Sequence, residues 1–209
     1  MRNLQNFFFS KGTRFAKWDF LIFAIITFAA LWLRQTTIFY LIYFFWWTEL
    51  INISIDQLFH RKNPNAKRFE LGKSSILASF ILLAIYFVFI VLIFGYFSVS
   101  NHSGELLINF QIIRFNNWFF NANLFFILIE RIYIHQTHQK VNVRFGGFTI
   151  NMLVIHLSII FGAILLFFIV NAFPDTFTYE NRLGTLLIAL PFVVLKFFGN
   201  YFSGWNSKS

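Results

Sequence analysis

The chain has 209 residues, of which 58% are hydrophobic, 22% aromatic and only 12% charged, and its mean hydropathy is +0.66. A soluble domain is about one-quarter charged, so the composition excludes an ordinary soluble protein, and the lack of cysteines excludes disulfides, thiolate metal sites and a cysteine nucleophile. The net charge of +9 does not predict nucleic-acid binding, because the basic residues fall between apolar runs, as in the loops of membrane proteins.

Apolar runs of about 20 residues recur along the chain, and each is long enough to cross a hydrocarbon core of about 30 Å. The first two runs form a hairpin through residues 34–37, and polar residues with Gly or Pro mark the later breaks. The sequence therefore predicts an all-α, polytopic transmembrane helical bundle of six spans, which occupies residues 1–209 as a single domain. The predicted spans lie near 15–33, 38–56, 75–99, 117–134, 148–171 and 183–203.

The distribution of Lys and Arg predicts the orientation of these spans. Thirteen of these residues lie in the two tails and in the loops after the second and fourth spans, against three on the opposite side. Because cytoplasmic loops carry the excess of positive charge, we expect both termini in the cytoplasm. The bias towards Phe, Ile and Asn is typical of a low-GC bacterial genome, so the expected location is the bacterial inner (plasma) membrane.

Residues 103–120 follow the third span on the predicted outer side and are rich in apolar residues, with only Glu105 and Arg114 charged. Two interpretations stay open. The segment lies along the membrane surface as an amphipathic stretch, or it packs over the mouth of the bundle.

Four spans carry polar side chains inside the apolar run. An ionisable group near the bilayer centre costs roughly 2.5–3.5 kcal/mol, so we expect each one to face another helix, a partner or water. With a rise of about 1.5 Å per residue, Glu49 and His156 both come out about 12 Å from the cytoplasmic surface. The predicted intramembrane polar layer consists of Glu49, Asn52, Glu130, Asn151, His156, Lys196 and Asn200.

The second span places Glu49, Asn52 and Asp56 on one helical face, because their spacing is i, i+3, i+7. Glu49 is expected to have a specific partner, since its short side chain is far from the cytoplasmic end. A structural ion pair and a functional site both stay open for it. We expect Asp56 to be solvated at the interface and Arg131 to mark a helix end.

Two features bear on helix geometry. Pro191 cannot donate a backbone hydrogen bond and predicts a hinge in the sixth span. Gly162, between Phe161 and Ala163, predicts a close crossing of two helices.

Two carboxylates and an imidazole could bind a divalent metal, because Glu and His are common ligands of zinc and iron. The candidates are Glu49, Glu130 and His156. No span contains the Glu-x-x-His motif of helical di-metal sites, so we predict no metal site and no cofactor.

Three stretches carry a resemblance to a known family: "YLIYFFWWTELINISIDQL" in the second span, "VIHLSIIFGAILL" in the fifth and "LIALPFVVLKFFGNYFS" at the end. Together they resemble an uncharacterised bacterial family of small polytopic integral membrane proteins, a domain of unknown function with about six spans. In that family the last span tends to carry a Lys followed four residues later by an Asp, where this chain has Lys196 and Asn200. The resemblance implies a helical bundle and no particular reaction.

We expect a non-enzymatic accessory or scaffold component, because the sequence has no nucleotide-binding loop, no nucleophile motif and no internal repeat. Two alternatives stay open: a small proton-coupled transporter or channel that uses the ionisable members of the polar layer as a relay, and an intramembrane metal-binding enzyme. No catalytic residue is predicted. The expected partners are the lipid bilayer and either another membrane protein or a second copy of the chain, with no nucleic acid.

Overall fold

The computed structural model describes residues 14–62, 73–99, 103–136, 144–145, 148–170, 172–173, 176–177 and 181–205. Apart from connecting turns and one hairpin of two-residue strands, these residues are helical, which confirms the all-helical fold class. The elements are α1 (Arg14–Trp32), α2 (Ile38–Lys62), α3 (Lys73–Phe89), α4 (Ser103–Ile113), α5 (Trp118–Gln136), β1 (Arg144–Phe145), β2 (Phe148–Thr149), α6 (Ile150–Ile164) and α7 (Arg182–Trp205).

Among the described residues, five helical stretches are long and apolar enough to cross a membrane, by length and composition. One of them contains both α4 and α5, which are joined by a short turn, and the apolar part of α1 is shorter than the others. The five are Ile38–Leu58, Leu77–Val99, Ser103–Tyr133, Asn151–Val170 and Leu183–Asn200, and the apolar part of α1 is Phe20–Trp32.

Helix α2 is the centre of the bundle. In its apolar window 72% of the residues are buried inside the protein, against 28% in those of α3 and α6. Every residue from 39 to 46 is buried, and α3, α4, α5, α6 and α7 all pack against α2, while α1 packs against α5 and α7. The aromatic run of α2 is therefore core, and the large apolar side chains that α3, α5 and α6 expose suit a lipid environment.

Helices α3 and α6 both continue as π-helix at the same end of the bundle, over Ile90–Tyr96 and Leu165–Val170. A π-helix shifts the hydrogen-bond register by one residue and is found mostly as a local bulge within an α-helix, often at a functional site. The end of the bundle that carries the C-termini of α2 and α5 and the N-terminus of α6 is called the basic end. The end with the two π-helical segments is called the opposite end.

Helix α4 belongs to the core on one side. Ile108, Asn109 and Ile112 are buried, and α4 packs against α2 and against the π-helical end of α3. Within residues 103–120, α4 thus packs against the bundle on one side, and its position along the membrane surface stays a prediction.

Gly162 lets α6 approach its neighbours closely. A Cβ added there would lie 2.8 Å from Ile42 Cδ1 and 2.8 Å from Phe94 Cε1, which confirms the predicted close crossing. Both neighbours are fully buried, so at least one of these side chains would have to shift within the core.

We therefore expect Gly162→Ala to lower the free energy of unfolding by about 1–3 kcal/mol through overpacking. Gly104→Ala is the matched control, because nothing lies within 4 Å of a Cβ built there. The control should leave stability unchanged or raise it by up to about 1 kcal/mol through helix propensity. Equilibrium unfolding in detergent compares the two, and equal effects would contradict the close crossing.

Candidate functional site

A buried ion pair joins α2 to α5 near the basic end. Arg131 Nη2 lies 2.7 Å from each carboxylate oxygen of Asp56, and Arg131 Nε donates to Oδ1 at 3.1 Å. The exposed fractions are 8% for Asp56 and 5% for Arg131. The predictions of a solvated Asp56 and of an Arg131 that only marks a helix end are both wrong, because the planar guanidinium fork matches the carboxylate of a neighbouring helix.

Glu49 meets the start of α6. The Thr149 hydroxyl donates to Glu49 Oε1 at 2.6 Å and accepts from the Met152 amide at 3.1 Å. Thr149 is therefore both the N-cap of α6 and a hydrogen-bond donor to the Glu49 carboxylate. Glu49 is fully buried. The position also suits the charge, because a helix N-terminus carries partial positive charge.

Because Glu49 contacts Thr149 at the start of α6, it lies far from His156 along the axis of that helix. Seven residues along α6 correspond to about 10 Å along its axis, so the expected equal depth of these two groups is wrong. His156 is exposed, and its Nδ1 lies 3.1 Å from the hydroxyl of Tyr86 on α3. Glu49 thus points into the bundle core, while His156 lies on the outer surface between α3 and α6.

The other members of the predicted polar layer differ in burial. Asn52, Lys196 and Asn200 are buried, whereas Glu130 and Asn151 are half-buried. Lys196 Nζ lies 6.0 Å from the centre of the Phe44 ring, at the limit of a cation–π contact. That the seven residues act as one site stays a prediction.

The metal candidates were Glu49, Glu130 and His156. Among the described residues, no group of three His, Cys, Asp or Glu side chains lies close enough together to hold a metal ion. Helix α7 continues through Pro191 from Arg182 to Trp205, and a hinge at that proline stays a prediction.

A second polar cluster, which the sequence analysis missed, is centred on Asn109 at the opposite end. Its amide nitrogen donates to the carbonyls of Phe94 at 3.3 Å and Gly95 at 3.1 Å, within the π-helical part of α3. Its oxygen accepts from the Thr37 hydroxyl at 2.6 Å, and Thr37 in turn caps the Tyr40 amide of α2. One fully buried asparagine thus joins α2, α3 and α4. The sequence did carry a signal for this cluster, because Asn109 lies between apolar residues that recur about one helical turn apart.

We expect Asn109→Leu to lower the free energy of unfolding by about 2 kcal/mol. Hydrogen bonds between membrane helices contribute on average about 0.6 kcal/mol each, and this change removes three. Asn116→Leu is the control, because Asn116 is exposed in the turn after α4. Thermal unfolding in detergent compares the two variants, and an Asn109→Leu protein as stable as the control would contradict the role of the cluster.

Two further contacts fasten α5 to the bundle. Asn123 donates to the Tyr40 hydroxyl at 2.8 Å, and Asn117 donates to the Gln35 carbonyl at 3.0 Å while it caps the Phe120 amide. Buried amide side chains therefore tie α5 to α2 and to the turn that precedes α2.

No protein-family model, no curated protein and no solved structure matches the chain. The resemblance to a family of small polytopic membrane proteins stays a prediction.

Proposed function

We propose that the chain is a six-span integral membrane protein with both termini in the cytoplasm, and that it acts as a non-enzymatic accessory or scaffold subunit of a membrane assembly. Five apolar helices of sufficient length support the membrane location, and the excess of basic residues on one side supports the orientation. The bacterial inner membrane is the location that we propose from the composition.

His156 carries the proposal of an assembly. It lies seven residues into α6 and is exposed, among exposed apolar side chains such as Leu153 and Ile160. Ionisable residues in spanning helices are expected to face protein or water and not lipid. Tyr86 contacts Nδ1, and no described residue bonds Nε2, which can therefore pair with a hydrogen-bonding group on another subunit.

The internal polar contacts agree with a structural role. Asp56 and Arg131 satisfy each other, and Glu49 is tied to the cap of α6. Charged groups that fasten helices to one another stabilise one arrangement of the bundle, which is what a scaffold subunit requires.

A photocrosslinking amino acid at Leu153 tests the assembly. Leu153 is 57% exposed and lies one turn before His156, and Phe125 on α5, which is 60% exposed, is the matched control position. We expect one cross-linked product of defined mass, at high yield, from Leu153 and not from Phe125. The His156→Phe background should lose it. A chain that stays monomeric in mild detergent, with no product from either position, would contradict the proposal.

The lack of cysteines gives a direct test of the orientation. A single cysteine introduced as Ser103→Cys should react with a membrane-impermeant maleimide in intact cells. One introduced as Ser209→Cys should react only after lysis. The reverse pattern would overturn the proposed orientation.

A further inference from the structure

A small cavity of about 50 Å³ lies at the opposite end of the bundle, where α1, α2, α4, α6 and α7 meet. Its walls are mostly apolar, with four polar side chains among the twelve described residues that line it. The polar members are Thr36, Thr37, Glu105 and Thr185, and only Glu105 carries a charge. A cavity needs about 10–15 Å³ to hold one water, so this one has room for a small ion with some of its hydration shell.

The hydroxyl protons of two threonines in the wall are already used inside the protein. Thr37 donates to Asn109 Oδ1 at 2.6 Å, and Thr185 donates to the Asn181 carbonyl at 3.0 Å. What these hydroxyls retain for a ligand is therefore lone pairs, since each has one proton and two acceptor sites.

Three backbone amides at the helix starts beside the cavity also have hydrogen-bond partners. Thr37 accepts from the Tyr40 amide at the start of α2, and Asn181 Oδ1 accepts from the amides of Leu183 and Gly184 at the start of α7. These helix N-termini thus have capped amides, and the polar part of the mostly apolar cavity wall consists of side-chain oxygen atoms.

Thr36 points to an occupant. It is only 2% exposed, and its Oγ1 has no hydrogen-bond partner among the described residues although it lines the cavity. A buried hydroxyl without a partner costs about 1–3 kcal/mol of stability. A ligand that binds this oxygen removes that cost, and the difference adds to its binding free energy.

We propose that this cavity binds one small monovalent cation, an alkali ion or ammonium, through the Thr36, Thr37 and Thr185 hydroxyl oxygens with charge from Glu105. The chemistry of these ligands favours a cation, because oxygen donors are the ligands that hard cations prefer. The site is separate from the surface around His156 and does not depend on a partner subunit.

Binding is measured on the full chain in detergent, by isothermal titration calorimetry and thermal unfolding. Solutions of NaCl, KCl and NH4Cl are compared with choline chloride at equal ionic strength, because choline is too large for the cavity. We expect saturable binding of one ion per chain and a rise in Tm with at least one of the three salts. The salt whose cation binds most tightly identifies the ion.

Thr36→Val and Glu105→Gln test the site, and Thr27→Val is the matched control, because Thr27 is equally buried and does not line the cavity. Thr36→Val should weaken binding by about 10-fold, the effect of about 1.4 kcal/mol, and Glu105→Gln should weaken it more. The control should bind as the unmodified chain does. Three results would overturn the proposal: no binding to the unmodified chain, equal binding by all variants, or a Thr36→Val protein that is more stable in every salt including choline chloride. The last result would show that no ion binds the Thr36 hydroxyl.

Discussion

Removal of either partner of the Asp56–Arg131 pair is expected to lower the free energy of unfolding by about 3–5 kcal/mol. The reason is the charge that is left behind. Asp56→Leu leaves a buried guanidinium, and Arg131→Leu leaves a buried carboxylate, each without the group that lies 2.7 Å away in the native protein. Equilibrium unfolding in mixed micelles, followed by tryptophan fluorescence, measures the loss.

The double variant distinguishes the net contribution of the ion pair from the cost of leaving one charge buried alone. Replacement of both charges by apolar residues of similar size is often neutral or stabilising, so Asp56→Leu with Arg131→Leu should be close to the native stability. Gln57→Ala, an exposed neighbour on α2, is the control and should change stability by less than about 0.5 kcal/mol. Single variants as stable as the control, or a double variant with additive losses, would show that the ion pair does not form.

Thr149→Val is expected to cost about 3 kcal/mol, because it removes two interactions at once. Loss of an N-cap costs about 1 kcal/mol, and loss of a hydrogen bond to a charged group costs about 1.5–3 kcal/mol. Thr149→Ser keeps the hydroxyl and is the matched control, with a loss below about 1 kcal/mol. The same unfolding assay compares the two variants.

Glu49→Gln completes a double-mutant cycle with Thr149→Val. If the Glu49–Thr149 hydrogen bond at 2.6 Å is a principal contact of this carboxylate, the two effects should be coupled by about 1–2 kcal/mol. Additive effects would mean that Glu49 contributes through other contacts. The cycle therefore tells a helix-fastening role of Glu49 from any other role.

The helices themselves were predictable, because an apolar run of about 20 residues bounded by polar, Gly or Pro residues has few alternatives in a membrane protein. α7, for example, runs from Arg182 to Trp205 where the apolar pattern predicted 183–203. Gly162 was predictable for a similar reason, since a small residue in an apolar helix indicates close packing.

The contacts between helices were not predictable from one sequence. Asp56 and Arg131 are separated by 75 residues, and nothing local shows that they face each other. The depth of Glu49 was misjudged because the helices do not end in one plane: α2 continues for 13 residues after Glu49, whereas α6 begins beside it. Thr149 had a readable signal, because a Thr just before an apolar run is typical of an N-cap.

Proton flux through the protein in liposomes tests most directly whether the buried polar groups fasten the bundle or conduct protons. The full chain is reconstituted with a pH-sensitive dye inside the vesicles, and a potassium gradient with valinomycin supplies the driving force. The structural role that we propose for Glu49, Asp56 and Arg131 predicts the same proton flux with the unmodified chain, with Glu49→Gln and in protein-free vesicles. A flux that requires the unmodified chain and disappears in Glu49→Gln would contradict the account and support a proton-coupled transporter.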